Sequence, residues 1–306
     1  MPARYINPYT DFGFKKLFGE EASKDLLIDF LNSILPDDRQ IADLSFRNTE
    51  RLPALPEDRK AFFDVYCEAK SGEKFIVEMQ KAAQHYFRDR AVFYSTFAIQ
   101  EQSEKDVWDF QLHAVYYVAI LDFVYDKDGD KQKFFREVSL KDQDGEIFYE
   151  KLYQYFFQMP LFNKQESELE TQRDKWFYFL RNLDSFDDIP AILREPVFER
   201  AFATAEKSRF TREEYYQYQA ALKVYRDNYA VMKTAVDNGI AQGIAQGIAQ
   251  GIAQGIEQGI EQGITQGIER GRTETARNLK RLGIPLVTIA EATGLSENEI
   301  EKLVTH

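Results

Sequence analysis

Between Phe62 and Gln80 the chain carries the pattern that most narrows what it can fold into. The runs Phe62-Phe63-Asp64-Val65-Tyr66-Cys67 and Phe75-Ile76-Val77-Glu78-Met79-Gln80 are apolar and β-prone, and a polar segment containing Gly72 joins them. Such a pair reads as a β-hairpin. Side chains alternate along a strand, so Glu78 and Gln80 share one face while Val77 and Met79 take the other. Carboxylates set among buried residues need a partner, and a divalent cation is one of the few that accepts several at once. From the residues alone, Asp64 and Glu78 read equally as metal ligands and as exposed edge-strand acids.

An Asp on one strand followed by Glu-x-Gln on the next resembles the core of PD-(D/E)XK nucleases. Other segments narrow the likeness: Tyr5-Ile6-Asn7-Pro8-Tyr9-Thr10-Asp11-Phe12-Gly13-Phe14-Lys15-Lys16-Leu17-Phe18-Gly19, then Leu26–Asn32, Arg90-Ala91-Val92-Phe93-Tyr94 and Ile99-Gln100-Glu101-Gln102. With the Gly-rich tail they resemble the Rpn (recombination-promoting nuclease) family, also described as PD-(D/E)XK nuclease-family transposases, over roughly residues 4–125. The resemblance implies an α/β restriction-endonuclease-like core that holds Mg²⁺ (or Mn²⁺) through Asp64 and Glu78. It implies a metal-dependent DNA endonuclease hydrolysing phosphodiester bonds, with roles in recombination, mobile elements or phage defence. Two other hypotheses stand beside it: a non-catalytic DNA-binding or regulatory protein retaining the fold, and an assembly protein working through its repeat arm.

Residue by residue, the resemblance assigns further candidates. Gln80 stands where the superfamily usually has Lys; an amide is no general base, but it can orient water or touch phosphate. The Met79 carbonyl is a further potential ligand. Asp11, with Phe14 and Lys15, matches the family's Asp-x-x-Phe-Lys pattern and is the candidate for an additional acid; first-turn helix capping is its other reading. Lys60, Arg90 and Tyr94 are the candidate nucleic-acid contacts. A solvated strand-end lysine is the alternative for Lys60, and pairing with an active-site carboxylate the alternative for Arg90. Gln100 follows on the same helix. His85 and His113 are too isolated for a zinc site and read as a surface and a core residue. No P-loop, Gly-x-Gly-x-x-Gly or Gly-x-Ser-x-Gly sequence offers a competing chemistry.

Charge argues against a simple nucleic-acid binder: the 306-residue chain carries a net charge of −12, whereas phosphate contacts need a positive surface. The acid is uneven, however. From Arg47 to Arg90, nine Lys/Arg face eight Asp/Glu, and the excess lies in segments such as Asp122–Asp130 and Asp142–Glu150. The single cysteine, Cys67, excludes an internal disulfide and fits a reducing cytoplasm. Residues 1–20 carry no charged-then-apolar signal pattern and no 18-residue apolar run occurs, so the expectation is a soluble cytoplasmic protein with no membrane contact.

Apolar periodicity predicts a helix over 11–34, strands at 41–49, 60–70 and 73–80, a helix over 83–105 and a strand at 110–125. Residues 132–139 and 146–149 read as a hairpin, and 150–208 as several helices rich in Phe and Tyr. The domains follow: a nuclease core at 1–125, a mainly helical extension at 126–210, a long helix at 211–281, and a helix-turn-helix-like cap at 282–306. Within the long helix, Gly recurs every fourth residue from Gly239 to Gly271, taking nine of the 16 glycines. Each four-residue step overshoots one turn by about 40°, so only a right-handed supercoil keeps the Gly and Ile stripes facing a partner. Nine interior glycines cost roughly 7–9 kcal/mol against alanine. Pairing with a second copy would offset that cost and make a homodimer; a weakly helical tether is the other reading. In the cap, Gly294 suits a left-handed turn and Ser296 with Glu299 a capping box. Glu297, Glu299 and Glu301 on its second helix favour a packing element over a DNA reader.

Overall fold

The computed structural model describes residues 3–51, 61–82, 86–103, 109–125 and 132–304. It contains two compact units, Met1–Asn228 and Tyr229–His306. In the first, α1 (Asp11–Phe18) and α2 (Lys24–Ile34) precede β1 (Leu44–Phe46), β2 (Glu50–Arg51), β3 (Ala61–Phe62), β4 (Val65–Ala69) and β5 (Lys74–Gln80). Then come α3 (Phe87–Gln100), β6 (Val115–Leu121), β7 (Phe135–Lys141), β8 (Ile147–Gln158), α4 (Gln172–Asn182) and α5 (Pro196–Ala205). The last helix to start in this unit is α6 (Arg212–Arg281).

Six strands form one mixed sheet in the order β1-β4-β5-β6-β8-β7. β5, β6 and β8 run parallel, while β4 and β7 are antiparallel to their neighbours β5 and β8. The two faces of β5 feed different cores, as its alternation requires. Phe75, Val77 and Met79 enter a large core with α1, α2, α4 and α5, where Trp176, Phe177, Phe179 and Leu180 of α4 are fully buried. Burial of side chains this size contributes about 1.5–3 kcal/mol each. Ile76, on the opposite face, enters a smaller core against Phe87, Ala91 and Ala98 of α3.

Several boundaries differ from the sequence expectation. The helix expected over 11–34 is two helices separated by a 3₁₀ turn at Glu21–Ser23, where the Ser23 hydroxyl bonds the Lys16 and Glu20 carbonyls and so competes with a continuous ladder. The strand expected over 60–70 breaks at Asp64 into β3 and β4. The helical reading of 150–208 fails at its start, because residues to Gln158 belong to β8. Parallel pairing of β8 with β6 also places the expected boundary at 125 inside the sheet. Tyr and Phe are as frequent in strands as in helix cores, and the run Tyr153–Phe157 carries no period to separate the two.

The second unit contains the remainder of α6, then α7 (Leu286–Thr293) and α8 (Glu297–Glu301). The expected long helix is continuous through the Gly repeat, and every Ile from Ile240 to Ile268 is more than half exposed. Gly294 takes the left-handed conformation and Ser296 and Glu299 form the capping box, as expected. Ala276, Ile289 and Ile300 form a small core. Beside it, Lys280 Nζ donates to the carbonyls of Ile300, Glu301 and Leu303 at 3.1, 2.8 and 2.9 Å. That ammonium satisfies backbone acceptors left open at the end of α8. No described helix is long and apolar enough to cross a membrane.

Candidate active site

The bend at Asp64 is the local event on which the site depends. In the β4–β5 register Val65 faces Val77, so Asp64 lies opposite Glu78 on the α3 side of the sheet. The Asp64 N–H donates to Glu78 Oε1 at 3.3 Å, and the Met79 N–H donates to Asp64 Oδ2 at 2.7 Å. The two carboxyl groups are thereby held against each other's strands. Gln80, on the same face, donates from Nε2 to Glu78 Oε2 at 2.8 Å. Ala119 of β6 is the register partner of Glu78.

Glu78 is 3% exposed and Gln80 5%. Burial raises the pKa of Glu78 to about 8, with the Asp64 charge adding to the rise and Arg90 opposing it. Burial likewise raises Asp64, and the Asp11 charge adds to it against the Met79 N–H and the cations Lys15 and Lys81. A half-buried acid beside a buried one, both raised by desolvation and the second also by the charge of the first, makes a site whose charge a cation would relieve.

From α3, Arg90 Nη2 approaches Glu78 Oε2 at 3.9 Å, and its guanidinium lies over the Tyr94 ring, 5.3 Å from the centroid. The Tyr94 hydroxyl accepts from the Phe62 backbone, which ties α3 to β3. Arg90 and Tyr94 are therefore at the acid pair. Gln100 is not: it is exposed at the far end of α3, about 15 Å along the helix from Arg90. Lys60 and His85 lie outside the described residues. His113, expected in the core, is exposed; its ring covers Gly72 in the β4–β5 turn.

Asp11 occupies the first turn of α1, but Thr10 is the N-cap, accepting from the Gly13 N–H. Asp11 pairs with Lys15 at 3.0 Å and acts on Asp64 through space, without direct contact. The preceding loop is pinned by Asn7, whose Oδ1 accepts from the Tyr9 N–H and whose Nδ2 donates to Asp184 at 3.1 Å. Gly13 lets this loop close on α1: a Cβ there would stand 2.3 Å from the Asn7 carbonyl.

Two residues at the site, Lys81 and Tyr117, escaped the sequence reading, and a third, Lys15, entered it only as part of the Asp-x-x-Phe-Lys pattern. Lys15 and Lys81 both act on Asp64; Lys81 directly follows the Glu-x-Gln run, the one signal that pointed to it. Tyr117 of β6 is fully buried, and its hydroxyl has no hydrogen-bond partner among the described residues. Burial raises its pKa and the Glu78 charge adds to the rise, which places it beside the acid. Nothing in an uninterrupted apolar strand marks such a tyrosine in advance. No group of three or more His, Cys, Asp or Glu gathers among the described residues.

Two acids, an amide and an arginine thus gather on one face of a mixed α/β sheet. The sequence pattern of the PD-(D/E)XK nuclease family transposases matches residues 8–235, and the chain belongs to that family. No curated protein and no solved structure matches it. Membership suggests a nuclease-like function with nucleic acid as substrate, and family nucleases typically use divalent metals.

Proposed function

We propose that the chain is a Mg²⁺-dependent DNA endonuclease whose cation is held by Asp64 and Glu78. The observation that carries this reading is the convergence of the half-buried Asp64 and buried Glu78 carboxyl groups, each with oxygen capacity beyond its hydrogen bonds. The donor set fits the ion: Mg²⁺ is bound by one or two carboxylates and keeps several waters, so a cluster of three acids is not required. Bound there, Mg²⁺ would lower the pKa of a coordinated water and neutralise charge on a phosphate oxygen. Gln80, anchored on Glu78 through its Nε2, has a carbonyl oxygen that would be available to orient such a water. Arg90 offers a guanidinium to phosphate while its stack on Tyr94 fixes the plane. Asp11 tunes Asp64 from a distance, as a positioning residue. Roles in recombination, mobile elements or defence come from the Rpn resemblance alone.

A second reading rests on Gln80, which cannot accept a proton and is already bonded to Glu78. On that reading the fold binds DNA without cutting it. Supercoiled-plasmid nicking with Mg²⁺ separates the two. Cleavage that disappears in Asp64→Ala and Glu78→Ala supports hydrolysis. Equal activity in parent and variants rejects this site, and a gel shift with no cleavage under Mg²⁺ or Mn²⁺ selects the binding protein.

The Gly-repeat helix is proposed as a homodimer contact. Every repeat glycine has open space where a Cβ would stand, so no contact among the described residues accounts for the glycines. A close-packed second helix does.

A further inference from the structure

β7 ends the six-stranded sheet, and among the described strands it pairs only with β8. Among the described residues no second strand meets its outer edge, so backbone donors and acceptors from Glu137 to Lys141 are offered to one. Proteins blunt such edges by shortness, bulges, proline, charge or a covering element. Here β7 runs uninterrupted from Phe135 to Lys141, and the irregularity falls on its neighbour: Ser139, Leu140 and Lys141 face Tyr153, Tyr149 and Ile147, so the surplus residues belong to β8. Val138 and Leu140 are 44% and 47% exposed on one face, and Glu137, Ser139 and Lys141 share the other.

We propose that β7 is a self-complementary docking edge through which two copies of this chain pair antiparallel about a twofold axis at Ser139. The register follows from the side chains. With the axis at Ser139, Glu137 of each copy opposes Lys141 of the other, and Val138 opposes Leu140. Opposite charges and apolar pairs directly across a ladder both stabilise it, whereas like charges destabilise it. Moving the axis to between Val138 and Ser139 sets Glu137 against Leu140 and Arg136 against Lys141. Placing it at Leu140 sets Ser139 against Lys141 and Val138 against Asp142. Only the Ser139 axis matches every pair from 137 to 141. A twofold contact uses the same patch on both copies, so this palindrome of charge and apolarity is what an isologous interface requires. The four side chains Val138 and Leu140 from both copies would meet on one face, covering apolar surface that a single chain leaves in water. The contact is independent of the Gly-repeat helix and of metal chemistry.

Cysteine cross-linking on the full chain tests both contact and register. The native Cys67 is fully buried, so background is low. Residues directly opposite in an antiparallel pair have Cα atoms about 4.5–5.5 Å apart, within disulfide range. Oxidised with copper phenanthroline, Ser139→Cys should give a disulfide-linked dimer on non-reducing gels. Glu137→Cys mixed with Lys141→Cys should cross-link too. Glu137→Cys alone should not exceed the parent, because its two copies would lie about 13 Å apart along the strands. Absence of the Ser139→Cys dimer, or Glu137→Cys cross-linking alone as well as in the mixture, overturns the proposal. Deleting 239–271 should leave the Ser139→Cys cross-link in place; its loss would assign the contact to the repeat helix instead.

Discussion

Replacing Glu78 with Gln probes the acid pair before any catalysis is assayed. The pKa of Glu78 rises from 4.5 to about 8 in the folded chain through burial and the Asp64 charge. A carboxyl raised on folding contributes stability that is fully present below its unfolded pKa and is lost as pH climbs through the folded one. Metal-free wild-type protein should therefore lose about 1.4 kcal/mol per pH unit between roughly pH 5 and 8, for one retained proton. The full rise corresponds to an upper limit of roughly 5 kcal/mol. Glu78→Gln keeps the shape and can still accept from the Asp64 N–H, but carries no charge. Its profile should fall less steeply over that window, the residual slope coming from other raised acids such as Asp64 and Asp122, and it should match wild type near pH 5 and be more stable near pH 8.5. Urea unfolding with EDTA across the range measures both. Excess Mg²⁺ should narrow the gap near pH 8.5, raising wild type by about 2.7 kcal/mol at a hundredfold excess over Kd while leaving the variant unchanged. Superimposable pH profiles would refute the buried pair; equal Mg²⁺ stabilisation of both proteins would refute the metal assignment.

Other expectations follow from single contacts. Tyr117→Phe removes a buried hydroxyl with no partner among the described residues and should stabilise the protein by about 1 kcal/mol in urea titrations; destabilisation would reveal a hidden partner. Gly72→Ala places a Cβ 2.5 Å from the His113 ring at φ +101, and should cost at least about 1 kcal/mol. Adding His113→Ala should recover only the steric part, and full recovery would mean the backbone there is unstrained. Alanine at three repeat glycines should raise helicity by circular dichroism, about 0.8–1 kcal/mol per site. It should also lower the dimer fraction in sedimentation, and an unchanged dimer would remove the repeat as the contact. Lys280→Met should free the carbonyls that end α8 and speed amide exchange in α7 and α8; unchanged protection would show the lysine to be dispensable.

Where local chemistry decides conformation, the linear chain was sufficient. Alternation in Phe75–Gln80 assigned Val77 and Met79 to one side and Glu78 and Gln80 to the other, and the two cores occupy those sides. Gly294, Ser296 and Glu299 announced the turn and cap because capping involves neighbours three residues apart. A long helix over 211–281 was expected too and runs unbroken, although the repeat glycines left a weakly helical tether open as the other reading. Long-range pairing was beyond such signals. The place of β8 beside β6 depends on partners more than 30 residues away, and its Tyr-Phe run has no distinguishing period. The kink at Asp64, the ring of Arg90 and Tyr94 over Glu78, and the isolation of the Tyr117 hydroxyl arise only once α3 is laid across the sheet. Acidity at Glu78 is of that kind as well. Sequence names the carboxyl group, but the free energy of ionising it is a property of the surrounding packing, which desolvates it and sets a second charge beside it.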